Sequence, residues 1–334
     1  MNCRGTCNQP GDHYPRKKKA PGSRRFENSW PADPHRFRDI IRWKLGLLES
    51  EVPVRLPAQP AVIQTTHRSN EALGNPPGQL RITWIGHSTF LIHHNHRNIL
   101  TDPIFGHCGP LSLGPLRRMQ APGMDLDALP VVHDVLISHS HYDHLDWPTI
   151  RKLGSRPRYW LPQGLGTWFS TRGINNYREL AWSEETGVEG GMLVQSVPAQ
   201  HFSGRGIFDR NTTHWCGWVL RSQTRSLYFA GDTGYCPAFE QIGKRFGGFD
   251  ASLIPIGAYR PRQIMKAVHV DPGEAVQIHL DVGSRQSIAC HWGTFHLTDE
   301  APEEPQVLLH QTLMSRRIPP ELFRALRCGD ALTI

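Results

Sequence analysis

The sequence has no apolar run approaching the ~18 residues of a membrane-spanning helix, so no segment reads as a membrane span. No apolar stretch follows its first basic residues, which argues against a secretory leader. Its seven cysteines, at positions 3, 7, 108, 216, 236, 290 and 328, are odd in number and scattered. Only Cys3 and Cys7 lie near each other, so neither a disulfide framework nor a cysteine-based zinc site is supported. The expected compartment is the cytoplasm, with peripheral attachment to a membrane left open. Net charge is also nearly absent from most of the chain. Lys and Arg outnumber Asp and Glu by 12 to 6 in residues 1–55, but only by 25 to 24 in the remaining 279. The basic character therefore belongs to an N-terminal arm. A near-neutral body without a recognition motif gives no reason to expect nucleic acid as a partner.

What the sequence does have is histidine, 19 residues of it, some at telling positions. Three regions can be read along the chain. Residues 1–34, with Arg16-Lys17-Lys18-Lys19 and few large apolar residues, read as a disordered basic arm. This arm is either a solubilising tail, an electrostatic tether to anionic lipid, or a nuclear or nucleic-acid segment. Residues 35–78 read as an amphipathic helix followed by a Pro-rich linker. In the helix Phe37, Ile40, Ile41, Leu45 and Leu48 share a face, expected to pack on the main domain. Residues 79–334 read as the catalytic domain. Short apolar runs read as strands at Leu80–Ile85, and at Thr89–His93 and Asn98–Thr101 in a hairpin around Asn95. Further runs read as strands at Val135–Ser138, Tyr159–Leu161, Leu193–Val197, Trp215–Leu220, Leu227–Ala230, Ser252–Ile256 and Ser287–Cys290. His93, His94 and His96 of the hairpin are expected at the surface. Helical spacing is found at 146–153, 165–171, 237–243, 271–280 and 301–314. The alternation of strands and helices predicts a layered α/β domain, and no internal sequence repeat is evident.

The main signal is Val135-Leu136-Ile137-Ser138-His139-Ser140-His141-Tyr142-Asp143-His144. An apolar strand runs directly into four potential ligands within six residues. Neutral imidazole and carboxylate suit zinc-like ions. Four ligands so close together divide better between two neighbouring metals: His139 and His141 on one, Asp143 and His144 on the other.

This H-x-H-x-D-H pattern resembles the metallo-β-lactamase superfamily. The resemblance implies a four-layer αββα sandwich with the site at one edge of its two sheets. It also implies three later ligands, each just after a strand. The sequence offers His201 after Ser196-Val197-Pro198-Ala199-Gln200, Asp232 within Ala230-Gly231-Asp232-Thr233-Gly234, and His291 after Ile288-Ala289-Cys290. By this resemblance His201 completes the first trio, Asp232 bridges both metals and His291 completes the second site. Two divalent cations about 3.5–4 Å apart would turn a shared water into the attacking nucleophile, so no serine or cysteine nucleophile is needed. The expected cofactor is two Zn2+, with Mn2+ and Fe2+ left open.

Longer blocks are similar to the N-acylphosphatidylethanolamine-hydrolysing phospholipase D family. They are Thr83–Ile92, Leu100–Phe105, Leu253–Tyr259 and His269-Val270-Asp271-Pro272. That similarity implies a phosphodiesterase cleaving on the head-group side, with phosphatidic acid and an N-acylethanolamine as products. The catalytic residues would be Asp143, Asp232 and His269, with His269 near the substrate phosphate. Tyr259 is a candidate to face the cleft. Arg117 and Arg118 are candidates to meet phosphate and lipid, together with Leu111, Leu113, Leu116 and Met119 of the 106–123 loop. Asp102 reads as a support for a ligand histidine or a plain turn residue, and His87 as structural. Asp146 and Asp271 read as helix caps. The expected partners are a phospholipid substrate and an anionic membrane surface, with a homodimer left open. Residues 202–210 depart from the mammalian members, which leaves the substrate less constrained than the machinery. The alternative is a lactonase or sugar-phosphate hydrolase resembling ascorbate-6-phosphate lactonase.

Overall fold

The computed structural model describes residues 25–30, 37–48, 78–109 and 116–334. Most of the basic arm, most of the Pro-rich linker, and Leu111 and Leu113 lie outside these residues.

The first sheet grows from three adjacent strands, β1 (Leu80–Gly86), β2 (Thr89–His94) and β3 (Arg97–Thr101). Asn95 and His96 both take left-handed backbone conformations, the geometry a two-residue hairpin turn requires. Strand periodicity decides which side chain faces which layer. Leu80, Ile82, Trp84, Phe90 and Ile92 face the space between the sheets, while Ile85 and Leu91 join the core under the outer helices. Both faces of these strands are covered, so they read as nearly continuous apolar runs.

The chain continues through β4 (Asp134–Leu136), β5 (Arg158–Pro162) and β6 (Tyr177–Leu180), each parallel to the strand before it. It then enters a second sheet. β7 (Glu185–Val188), β8 (Met192–Val197), β9 (Gly217–Arg221) and β10 (Ser226–Phe229) form an antiparallel meander. β11 (Phe249–Pro255), β12 (Ser284–Cys290) and β13 (Phe323–Arg324) extend it in parallel. A last strand, β14 (Ala331–Thr333), returns to pair with β1. The two seven-stranded sheets have orders β14-β1-β2-β3-β4-β5-β6 and β13-β12-β11-β10-β9-β8-β7. Each is a meander followed by parallel strands, a repeated topology with no repeat in the sequence.

Helices cover the outer faces. α1 (Phe37–Lys44) precedes the sheets. α2 (Trp147–Leu153) and α3 (Gly166–Ser170) follow β4 and β5 and contribute Ile150 and Phe169 to the core of the first sheet. α4 (Ala238–Phe246) and α7 (Glu304–Ser315) pack on α6 (Pro272–Asp281), which lies on β11 and β12; α5 (Arg262–Met265) is a short turn before α6. The fold is an αββα sandwich. Asp146 caps α2 by accepting from Thr149 N, with Pro148 inside. Asp271 and Glu274 form a reciprocal capping box at α6.

Two expectations need correction. α1 touches the main domain through Trp43, whose Nε1 donates to Asp299 Oδ2 at 2.6 Å, while Ile41 and Leu45 remain exposed. His94 is buried, because it falls on the inward-facing register of β2. Its Nδ1 meets Gln79 O at 3.0 Å and its Nε2 meets Ser222 Oγ at 2.8 Å.

The site lies where strands end. β1 runs into His87, β3 into Asp102, β4 into the 139–144 loop, β8 toward His201, β10 toward Asp232 and β12 into His291. Carboxyl ends of strands leave rigid supports under irregular loops, so side chains from both sheets converge at one edge.

Candidate metal centre

Three imidazoles form the first cluster. His139 Nε2 lies 2.8 Å from His141 Nδ1, and His201 Nε2 lies 3.2 Å from the same atom. The opposite ring nitrogens are committed elsewhere. His139 Nδ1 meets Ser138 Oγ at 2.9 Å, and that hydroxyl donates to Asp102 Oδ2 at 2.5 Å. His201 Nδ1 donates to Val268 O at 2.9 Å. These partners put the proton on Nδ1 and leave Nε2 of both rings as a lone pair. His141 Nδ1 therefore faces two lone pairs, and a proton on it could serve only one of them.

The second cluster combines His87, Asp143, His144 and His291, with ligand atoms within 4.8 Å of one another. His144 Nε2 and His291 Nε2 each lie 3.3 Å from Asp143 Oδ2. His144 Nδ1 donates to Asp102 Oδ2 at 2.7 Å, which again leaves Nε2 free to point inward. Asp102 thus supports both clusters, one through Ser138 and one through His144.

Asp232 stands between them. Its Oδ2 is 2.9 Å from His291 Nε2, 3.1 Å from His144 Nε2, 3.9 Å from His201 Nε2 and 4.0 Å from His139 Nε2. Gly231 is what allows this placement. Its φ is +63°, and a Cβ there would come within 2.8 Å of Ser138 Cβ and 2.9 Å of Cys216 O. His87, Asp102 and His291 also have positive φ, a cost concentrated where the site is built.

The donor set fits a pair of divalent cations. Among the described residues Asp232 Oδ1 is buried with no hydrogen-bond partner, and His144 Nε2 and His291 Nε2 are met only by the carboxylate oxygens of Asp143 and Asp232. Buried polar atoms left this way are costly unless a ligand satisfies them. His139, His141 and His201 would hold one cation, Asp143, His144 and His291 the other, with Asp232 reaching both.

Electrostatics divide the histidines. Burial, with neighbouring His144, holds His139 well below the usual imidazole range, and burial brings His201 down to about 3 and His141 to about 4. Burial also disfavours charge on His291 and His144, but the carboxylates outweigh it. Asp232 and Asp143 lift His291 to about 9, and the same pair with Asp102 raises His144 well above its ordinary value. Asp143 and Asp232 resist the upward pull of burial and are held well below the carboxylate range, chiefly by His144.

Three positioning residues were not apparent in the sequence. His87, read there as structural, touches the site: its Nε2 lies 2.8 Å from Asp143 Oδ2, and burial drops it to about 3, so it is a neutral donor. Asn28, inside the region read as a disordered arm, has its side chain paired with the backbone of His201. Arg205 sits in the 202–210 loop and donates through Nη1 to Ser140 O and Leu145 O, both at 2.8 Å, and to His141 O at 3.4 Å. Its guanidinium also lies 3.9 Å from the Tyr142 ring centroid. One cation thus holds the backbone of the ligand loop, a role that residue type and spacing could not reveal.

The proposed substrate contacts fall in different places. His269 faces the cluster, its Nδ1 3.9 Å from Asp232 Oδ2 and its ring 5.0 Å from that of His201. Burial keeps it well below its ordinary pKa, hence uncharged. Tyr259 turns away from the cleft: it is buried, and its hydroxyl donates to Glu304 Oε1 at 2.6 Å. Arg118 is turned inward, with Nη2 donating to Ile104 O at 3.1 Å and the guanidinium 5.5 Å from the Phe295 ring. Burial pulls its pKa down to about 10. Arg117 is exposed.

The Beta-lactamase superfamily domain matches residues 97–292, more than half of the chain. The chain belongs to this superfamily of metal-dependent hydrolases. Its relatives narrow the branch. It is 38% identical over 249 residues to the N-acyl-phosphatidylethanolamine-hydrolyzing phospholipase D 1 of Caenorhabditis elegans, covering 70% of each chain. It is 33% identical over 294 residues to the mitochondrial N-acyl-phosphatidylethanolamine-hydrolyzing phospholipase D of Saccharomyces cerevisiae, covering 83% of this chain and 63% of that one. Among solved structures, the isothiocyanate hydrolase from Delia radicum gut bacteria superposes with a TM-score of 0.63 at 17% identity, over 75% of this chain and 98% of its own. At that identity the likeness speaks to the fold alone.

Proposed function

We propose that the chain is a phospholipase D-type phosphodiesterase that hydrolyses N-acylphosphatidylethanolamine to phosphatidic acid and an N-acylethanolamine. The observation that carries this reading is the position of Asp232 Oδ2, within 4.0 Å of ring nitrogens from His139, His144, His201, His269 and His291. One carboxylate oxygen within reach of both clusters supports a paired-cation centre of the kind that serves hydrolytic phosphoryl transfer. The similarity to the nematode and yeast proteins supports the choice of substrate.

Two divalent cations held there, zinc by the donor chemistry, supply Lewis acidity at the phosphoryl oxygens and an ionised water at neutral pH. The chain's own residues do the rest. Asp102, through Ser138 and His144, fixes the rings before substrate arrives. His87 fixes Asp143. His269, neutral and beside Asp232, is placed to donate an N–H hydrogen bond to charge developing on the phosphoryl group or the departing ethanolamine oxygen. Water adds to phosphorus, the bond from phosphorus to the ethanolamine oxygen breaks, and the proton given up by the water ends on that oxygen, leaving phosphatidic acid and the N-acylethanolamine.

The test combines metal analysis with turnover of N-acylphosphatidylethanolamine vesicles. Wild-type protein should carry about two metals and release both products. Asp143→Asn and Asp232→Asn should each lower turnover at least about a hundredfold. Fully loaded wild-type protein that leaves this lipid intact, or that releases diacylglycerol instead, would overturn the proposal.

A further inference from the structure

Between the ligand His201 and Arg210 the chain makes a loop unlike the rest of the surface. Ile207 and Phe208 at its tip are 89% and 86% exposed, more than any other large apolar side chain among the described residues. Isolated exposed apolar residues are common on protein surfaces. Here, however, two are adjacent and held up by a defined scaffold. Asp209 accepts from Arg205 N and Gly206 N, Asn211 N donates to Ser203 O, and Arg205 ties the base to the ligand loop. Asp209 and Arg205 thus hold the loop in shape from within and from its base, with the apolar tip standing out from it.

Charge around the tip indicates the kind of surface it meets. Arg25 Nη2 donates to Phe208 O at 3.4 Å, and Arg210 lies over the Phe202 ring at 4.4 Å. Phe202 in turn packs on His141, with ring centroids 4.5 Å apart, so this cationic rim borders the metal centre. The sequence that leads into Arg25 is strongly basic. Residues 14–25 contain Arg16, Lys17, Lys18, Lys19, Arg24 and Arg25 and no acidic residue. In sequence Glu27 and Asp209 are the acids next to Arg25 and Arg210, and Asp209 is occupied by backbone N–H groups.

We propose that Ile207-Phe208 is an interfacial anchor that inserts into an anionic lipid surface beside the metal centre, with Arg25 and Arg210 gripping the headgroups. Stable peripheral attachment takes two weak signals together, typically an apolar insertion and a polybasic patch. Ile207-Phe208 with Arg25 and Arg210 brings an apolar tip and cationic side chains to one point. Each Lys or Arg near an anionic surface strengthens binding about fivefold, while two buried apolar side chains add at least about tenfold. The anchor rests on the lipid reading of the adjacent site, for which it would present the mouth of the centre to the bilayer. It replaces Arg118, which is turned inward.

Co-sedimentation of the full chain with phosphatidylcholine vesicles, with and without phosphatidylserine, tests the anchor without requiring any hydrolysis. Wild type should bind the anionic vesicles and release them in high salt. Ile207→Ser/Phe208→Ser should bind at least about tenfold more weakly, yet hydrolyse bis(p-nitrophenyl) phosphate as wild type does. A Phe208→Trp variant should show a blue shift with these vesicles and quenching by brominated acyl chains. Equal vesicle binding by wild type and the double variant, or a Phe208→Trp variant that binds without its indole being quenched, would overturn the proposal. So would wild-type self-association that the double variant abolishes, since it would assign the tip to a second copy of the chain. Vesicle binding through the tip by a protein that fails to cleave N-acylphosphatidylethanolamine would sink the substrate assignment and leave the anchor standing.

Discussion

Asn28 and His201 exchange two hydrogen bonds: Asn28 Nδ2 donates to His201 O at 2.9 Å, and Asn28 Oδ1 accepts from His201 N at 3.2 Å. The same Oδ1 accepts from Trp215 Nε1 at 3.1 Å, and neighbouring Phe26 N donates to Asn211 O at 2.7 Å. A segment 173 residues upstream therefore fixes the backbone of a metal ligand.

Asn28→Ala should weaken metal binding about tenfold, the usual effect of removing a group that orients a ligand. Loss of the paired bonds should also cost about 1–3 kcal/mol of stability. Competition with a chromophoric chelator and urea denaturation measure the two separately. A variant with wild-type affinity would show that His201 is held by Val268 O alone.

The ten strands that could be placed from sequence are the ten interior strands of the two sheets. The four that could not, β6, β7, β13 and β14, are the four sheet edges. Edge strands are short and covered on fewer sides, so they carry no apolar run; β7, Glu185–Val188, has no fully buried residue. The candidate ligands were legible for a related reason. Each follows an interior strand, and His139, His141, Asp143 and His144 stand together in the chain. The supports were not legible, because Asn28, His87 and Arg205 act through backbone groups or single contacts that only the folded chain brings together. Tyr259 and Arg118 show the converse. The sequence suggests the cleft for Tyr259 and phosphate and lipid for Arg118, but Glu304 and Ile104 O hold them inside the body.

Asp102→Asn should remove the second cation in preference to the first. Asp102 Oδ2 accepts from His144 Nδ1 and Ser138 Oγ, while Oδ1 accepts from Ser138 N at 2.7 Å. With Oδ1 held by that backbone N–H, the new amide NH2 would face the His144 ring and favour the tautomer with its proton on Nε2. Affinity at the His144 position should fall about 10- to 100-fold. Metal content after gel filtration should drop from about two per chain to about one, with activity falling in step. Retention of the full metal complement would show that His144 is oriented by packing alone.

Arg205→Lys should behave like Arg205→Ala and unlike wild type. One nitrogen, Nη1, meets the carbonyls of Ser140, His141 and Leu145 while the flat guanidinium lies on Tyr142; an ammonium has no flat face to stack there and so is not held over the carbonyls. Either substitution should cost about 2–3 kcal/mol and raise the metal concentration needed for half-maximal activity. With saturating metal, kcat should stay close to wild type, because Arg205 supports the loop without touching the reacting atoms. A drop in kcat that excess metal does not restore would move Arg205 into direct substrate contact.

Metal loading should release protons, and the metal-free protein should respond to pH in the opposite sense from the loaded one. Without metal, His291 titrates at about 9 and His144 well above its ordinary value, because Asp232 and Asp143 outweigh the effect of burial. Folded-state values above the unfolded ~6.5 contribute stability that is fully present below that pH and lost as pH rises through about 9. In chelator, the melting temperature should therefore fall between pH 6.5 and 9. Asp143 and Asp232 are held low, so their contribution is present above about 4 and lost in acid. A cation must displace the histidine protons to bind, so affinity should rise with pH over the window in which metal-free stability declines. Calorimetry at pH 7 in two buffers of different ionisation enthalpy should register release of about one to two protons per chain. If chelated and zinc-loaded protein show the same pH trend, the carboxylates do not hold His144 and His291 protonated, and the electrostatic account of the second cluster fails.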